Sequence, residues 1–209
     1  MEILKSNSKH WDTIFLTKED TKLGWYEKSS IHTFELLNQI PELENSTVFV
    51  SGIGTSNIAE ELLNKKVKLI VNDISFEALN KVKKRLKEKS SKVIWLCQDI
   101  SKPIPNEVPK VDIWIDRAVL HFLTDNNDII GYFSNLKTLL KTKGYAVFAE
   151  FSKEGAEKCA GLVLHRYSVE EILDYLGKSF SLIAHFNYTY INPNGEPRPY
   201  IYALYKRES

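Results

Sequence analysis

Apolar and polar positions along this chain follow two periods that take turns. Short apolar or β-branched runs at 47–51, 67–71, 92–97, 111–115 and 145–151 predict strands buried on both faces. Between and after them, apolar residues recur every three or four positions, which predicts helices over 56–64, 76–89, 125–140 and 169–176. The helix over 76–89 puts Leu79, Val82 and Leu86 on one face, and Ser75 stands where an N-cap belongs. A shorter helix over 30–38 precedes the first strand, with Ile31, Phe34 and Leu37 on one side. The alternation changes at the end. Segments 180–191 and 200–206 read as two strands of a hairpin around the turn-forming residues 192–197.

The junction after the first strand is the most informative stretch. The run Val48-Phe49-Val50 ends in Gly52 and Gly54, and the next strand ends at Asp73. Strand, glycine turn, helix, and a strand closed by an acid make the nucleotide-binding half of a Rossmann-type sheet. The chain is therefore expected to be α/β, with a Rossmann-like, mostly parallel sheet of seven strands, helices on both faces, and a C-terminal antiparallel hairpin whose last strand inserts into the sheet. It reads as a single domain over 1–209, with an aromatic, helical lid over 1–45 and the sheet-bearing core over 46–209. Asn57 stands where a dinucleotide fingerprint has its third glycine, the residue that lets a helix N-terminus receive a pyrophosphate. A ligand without phosphates, such as S-adenosylmethionine, suits this shorter turn. A purely structural turn remains the plain alternative.

Bulk properties narrow the partners. Lys and Arg number 28 against 27 Asp and Glu, a net charge of +1, so no basic excess marks a nucleic-acid footprint. No apolar stretch has the length of a bilayer span, and 1–11 lacks the apolar core of an export signal. Cys97 and Cys159 stand far apart with no metal-ligand spacing, so free thiols, no metal and a cytoplasmic setting are expected.

Taken in order, His10-Trp11-Asp12, Gly24-Trp25-Tyr26-Glu27, Val50-Ser51-Gly52-Ile53-Gly54-Thr55-Ser56, Asn72-Asp73-Ile74-Ser75, Trp114-Ile115-Asp116-Arg117-Ala118-Val119-Leu120-His121 and Cys159-Ala160-Gly161-Leu162 resemble the landmarks of class I S-adenosylmethionine-dependent methyltransferases. The likeness is strongest to the small bacterial type 11/12 group and spans nearly the whole chain. It implies S-adenosyl-L-methionine as cofactor and S-adenosyl-L-homocysteine as product. Gly52, Gly54 and Ser56 would then pass under the methionyl part, and Asp73 would hold the ribose. Ile74, Asp99 and Ile100 would frame the adenine, with Asp116 near the methionyl amine; on residue chemistry alone, the Trp25 ring is a candidate either to face the sulfonium or to stack on the acceptor. Val50 departs from the pattern, because members of this fold often carry an acid there.

Methyl transfer from a sulfonium needs alignment and exclusion of water, worth about 7–11 kcal/mol of barrier, more than it needs a catalytic triad. Candidates for the reacting centre are Asp116, Arg117, Tyr26 and His121, each with a structural alternative: an inward core role for His121, simple packing for the aromatics. Arg166 is a candidate anion clamp or a surface ion pair, and Cys159 an ordinary loop cysteine. The chain lacks the Asn/Asp-Pro-Pro-Tyr of amino-methylating nucleic-acid enzymes, the Pro-Cys of cytosine enzymes, and paired loop glutamates for arginine. A small-molecule acceptor is expected. A protein-lysine methyltransferase, a non-catalytic cofactor-binding module and, more distantly, an NAD-dependent enzyme are the alternatives. Sequence leaves the acceptor atom and the oligomeric state open.

Overall fold

The computed structural model of the chain describes residues 6–209, so the expectation for 1–11 falls partly on residues outside that range. Five strands in chain order are β1 (Thr47–Ser51), β2 (Lys68–Asp73), β3 (Val93–Cys97), β4 (Val111–Arg117) and β5 (Leu140–Phe151). A two-residue ladder, β6 (Lys158–Cys159) and β7 (Leu162–Val163), follows, then the long hairpin β8 (Phe180–Ile191) and β9 (Pro197–Arg207). The main sheet has seven strands in the order β3-β2-β1-β4-β5-β9-β8. Its first five are parallel, while β9 runs antiparallel to both β5 and β8. This is the expected sheet, including the inserted last strand.

The helices are α1 (Ser8–Thr17), α2 (Ile31–Leu37), α3 (Ile58–Asn64), α4 (Phe76–Leu86), α5 (Asn126–Leu139) and α6 (Val169–Leu176). Four start on a side chain that accepts a backbone N–H: Asn7, Ser75, Asp125 and Ser168. The expected Ser75 cap is among them. Strand alternation splits the core in two. Val48, Val50, Ile113 and Ile115 pack under α2, α3 and α4, whereas Phe49, Trp114 and Phe148 pack under α5 and α6. Each fully buried side chain of this kind is worth about 1.5–3 kcal/mol.

The boundaries that moved have local causes. β4 continues to Arg117 because Asp116 and Arg117 still pair with Phe148 and Ala149. β5 begins at Leu140, which pairs with Val111, and an irregular register absorbs the polar residues before Tyr145. α4 stops at Leu86, since Lys87 turns left-handed at φ 52° and a 3-10 turn continues to Lys92. α1 is a full helix that the aromatic reading of the N-terminus left undivided. Its Trp11, Ile14 and Phe15 recur at helical spacing and are buried against Leu23, Ala78 and Leu162.

Candidate functional site

The sheet order reverses at β1, whose neighbours are β2 on one side and β4 on the other. Ligands of open α/β sheets sit outside the strand carboxyl ends at such a point. A cleft lies there, lined by both glycines, Asp73, Ile74, Asp99 and Arg117 among others.

The turn is fixed by the acid it faces. Asp73 Oδ2 accepts the Gly54 N–H at 2.7 Å and Oδ1 accepts the Ser75 N–H at 2.8 Å. Burial raises the Asp73 pKa to about 6, against the pull of those two N–H donors. Gly52 has φ 55°, and a Cβ there would stand 2.2 Å from Val119 Cγ2, so only glycine lets β1 turn beneath the segment after β4. Gly54 shares the left-handed backbone at φ 51°, but its nearest neighbour is Phe15 Cζ at 3.5 Å.

Further along the cleft, Ile74 and Ile100 offer apolar walls and Asp99 turns one oxygen onto the Ser101 N–H at 2.9 Å. Ser56 also lines the cleft, its hydroxyl accepting the Ile58 N–H at 3.2 Å. Two lining residues absent from the sequence-based set keep buried polar atoms without a hydrogen-bond partner: Ser51 Oγ and Gln98 Nε2. Such orphaned groups are costly in a fold and mark where a ligand can bond. Gln98 had a signal in sequence, since it directly precedes Asp99 at the tip of β3.

The N-terminal segment roofs this cleft. Trp11 meets Trp25 and Phe122 edge-on, with ring centroids 5.6 and 4.7 Å away, and Trp25 also contacts Phe15. Asp12 Oδ1 accepts the Ser75 hydroxyl at 2.6 Å, which ties α1 to the start of α4. Tyr26 lines the cleft, and its carbonyl accepts a hydrogen bond from the Tyr190 hydroxyl of β8.

Arg117 is the cleft's charged floor. Its Nη1 donates to the Trp25 carbonyl at 3.0 Å, and Nη2 lies 2.7 Å from Glu27 Oε1. The Tyr202 hydroxyl donates to the same Glu27 oxygen at 3.3 Å. The Tyr200 ring sits 5.7 Å from the guanidinium carbon. Burial pulls the Arg117 pKa down, but Tyr202, Glu27 and Tyr200 outweigh it, and the side chain stays charged.

Asp116 does not line this cleft. Because side chains alternate along a strand, it shares the face of Trp114, opposite Arg117. Its Oδ2 accepts the Tyr132 hydroxyl at 2.5 Å, and that hydroxyl accepts the Trp114 indole N–H at 2.8 Å. Burial, then Glu150 nearby, pushes the Asp116 pKa well up, and burial raises Glu150 to about 7. His121 is wholly buried too. Its Nδ1 lies 2.5 Å from Glu150 Oε2, and burial lowers its pKa to about 3. These groups form a buried polar network behind the strand ends, and neither Asp116 nor His121 lines the cleft. Arg166 bonds the Lys153 and Gly155 carbonyls and so braces its own loop. The Cys159 thiol is raised to about 11 by burial, which keeps it protonated and inert. Both cysteines are free, and no cluster of potential metal ligands occurs among the described residues.

Residues 48–144 match the family model described as a methyltransferase domain. No curated protein sequence matches the chain. Among solved structures, the N-methyltransferase NodS from Bradyrhizobium japonicum, in complex with S-adenosyl-L-homocysteine, superposes with a TM-score of 0.73 at 16% identity, covering 98% of this chain and 100% of that one. A S-adenosylmethionine-dependent methyltransferase from Anabaena variabilis gives a TM-score of 0.72 at 14% identity, covering 99% and 98%. The 1,6-didemethyltoxoflavin-N1-methyltransferase of Burkholderia thailandensis gives 0.71 at 13%, covering 100% and 94%. Residues 48–144 are thus similar to a methyltransferase domain, and the fold of the chain is the one these S-adenosylmethionine-dependent methyltransferases share.

Proposed function

We propose that this chain transfers a methyl group from S-adenosyl-L-methionine to a small-molecule acceptor, working as one unit in which the N-terminal segment, described from residue 6 to 45, covers the core 46–209. The observation that carries this reading is Asp73: a buried carboxylate at the tip of β2, 2.7 Å from the N–H of the glycine turn. A carboxylate there suits a ribose diol. The orphaned Ser51 Oγ and Gln98 Nε2 supply the further polar partners that a nucleoside bearing an amino acid requires.

The cofactor supplies an activated methyl on a sulfonium. The chain's own residues bind, orient and exclude water. Asp73 accepts the ribose hydroxyls, Ile74 and Ile100 flank the adenine, and Asp99 with Gln98 meets its edge. Gly52, Gly54 and Ser56 bring backbone against the amino-acid part. Trp25 faces the sulfonium, a cation that an indole attracts by about 0.5–2 kcal/mol. Trp11, Phe15 and Trp25 shut water out, which strengthens every polar contact beneath them. Reacting-centre candidates that line the cleft are Arg117 and Tyr26.

NodS and the toxoflavin enzyme, both methyltransferases of matching length, support the small-molecule reading by analogy of fold. Calorimetry with S-adenosyl-L-homocysteine, then methyl-labelled cofactor with a fractionated lysate, tests it. Binding in the wild type, at least tenfold weaker for Asp73→Ala, with label in the small-molecule fraction, is expected. Label in protein bands would instead select the protein-lysine reading, and tight binding without turnover the non-catalytic one.

A further inference from the structure

Arg117 is a charged side chain in an otherwise apolar end of the cleft, and only part of its hydrogen-bonding capacity is met. Nη1 is anchored on the Trp25 carbonyl. The opposite edge, Nε and Nη2, has no well-aligned hydrogen bond, although Glu27 Oε1 approaches Nη2 to 2.7 Å and the Tyr202 hydroxyl interacts with the same side chain. That edge is the one whose two parallel N–H groups match a carboxylate fork to fork. Ion pair and edge are both nearly out of water, with 12% and 13% of the Arg117 and Glu27 side chains exposed. A buried guanidinium with one loosely fitted carboxylate is a poor structural element and a good receptor, because a better-aligned anion gains two charge-assisted bonds.

The surroundings narrow what that anion belongs to. Trp25, Tyr26 and Phe122 line this end of the cleft, and Tyr200 lies under the guanidinium at 5.7 Å. Glu27 sits on the strap 25–27, held by the Tyr190 hydroxyl on the Tyr26 carbonyl and by the Tyr202 hydroxyl on Glu27 itself. The strap's carboxylate therefore stands against the same guanidinium edge that a ligand's carboxylate would need.

We propose that Arg117 is the specificity-determining residue for the acceptor, which is a flat aromatic carboxylic acid whose carboxylate exchanges with Glu27 on the Nε–Nη2 edge. The inference rests on the methyltransferase reading, and concerns recognition alone: the ring packs against the aromatics that line this end of the cleft, Trp25, Tyr26 and Phe122, and Arg117 holds its acid group.

The test uses benzoic, cinnamic and indole-3-acetic acids and their carboxamides as probes, titrated into the full-length protein saturated with S-adenosyl-L-homocysteine. Saturation of the wild type is confirmed first; its failure would sink the methyltransferase reading and not this one in particular. At least one acid should bind tenfold or more tightly than its carboxamide, and Arg117→Gln should erase that difference while S-adenosyl-L-homocysteine affinity stays within about threefold. Arg117→Lys keeps the charge without the planar fork, so it should lose most of the preference even where Arg117→Gln folds poorly. Glu27→Gln, which removes the competing carboxylate, should tighten the acid. Carboxamides that bind as well as acids would overturn the proposal. So would a large loss of S-adenosyl-L-homocysteine affinity in both Arg117 variants, which would assign the guanidinium to the cofactor's own carboxylate.

Discussion

Asp12 and Ser75 are joined by a 2.6 Å hydrogen bond, and the Ser75 N–H in turn donates to Asp73 at 2.8 Å. The roof helix and the carboxylate in the cleft thus share one serine, which also caps α4 through the Ala78 N–H. Asp12 reinforces the same helix start by accepting the Glu77 N–H at 3.2 Å.

Asp12→Ala removes both bonds. The expected cost is about 1–2 kcal/mol of stability, in the range for a charged acceptor at a helix N-terminus. S-adenosyl-L-homocysteine should bind several-fold more weakly, and limited proteolysis should cut within 6–30 sooner. Unchanged affinity in calorimetry would separate the roof from the cleft.

Asp73 sets a pH dependence. Its pKa in the fold is raised from 3.8 to about 6, with burial the chief cause, so the folded state holds the proton more tightly than the unfolded chain. This group's contribution to stability is therefore present at low pH and declines as pH rises from about 4 to 6. The proposed ribose contact would run the other way, since it calls for an ionised acceptor. Affinity for S-adenosyl-L-homocysteine is expected to be flat above pH 7 and to fall several-fold by pH 5. Isothermal titrations across that range check it, and Asp73→Asn should flatten the profile.

Gly52→Ala combines a left-handed backbone with a Cβ placed 2.2 Å from Val119 Cγ2. Strain and overpacking together should destabilise the protein by about 2–4 kcal/mol. Gly54→Ala meets only Phe15 at 3.5 Å and should cost less, about 1–2 kcal/mol. Adding Val119→Ala should recover part of the loss at Gly52 and none at Gly54, as read from urea midpoints. Equal losses at the two glycines would refute the close-approach explanation.

Tyr132→Phe strips the bridge between Trp114 Nε1 and Asp116 Oδ2 and leaves both buried groups without that partner. A loss of about 1–3 kcal/mol is expected in chemical denaturation, with S-adenosyl-L-homocysteine affinity unchanged, because the network faces away from the cleft. A matching fall in affinity would return Asp116 to the binding site.

Much of this architecture was legible in the sequence. Alternating strand and helix periods carried the sheet, and the glycine pair with Asp73 carried the location of the cleft. Asp116 lies outside the cleft lining for a reason visible in the sequence itself: Trp114 and Asp116 share one face and Ile115 and Arg117 the other, so the arginine, and not the acid, lines the cleft. Glu27 and Gln98 were harder to find. Their relevance lies in long-range pairing, with Arg117 ninety residues onward for one and an unmet amide for the other, and neither leaves a periodic trace. Helix α1 has its signal in the helical spacing of Trp11, Ile14 and Phe15, masked by the density of aromatics around it.

The strap at 25–27 is pinned by Tyr190 and Tyr202, which leave the ribosome long after it. A nascent chain can complete its glycine turn and Asp73 while its ceiling still lacks the two hydroxyls that fasten it. Closure of the roof is consequently completed late in synthesis, once β8 and β9 have been made.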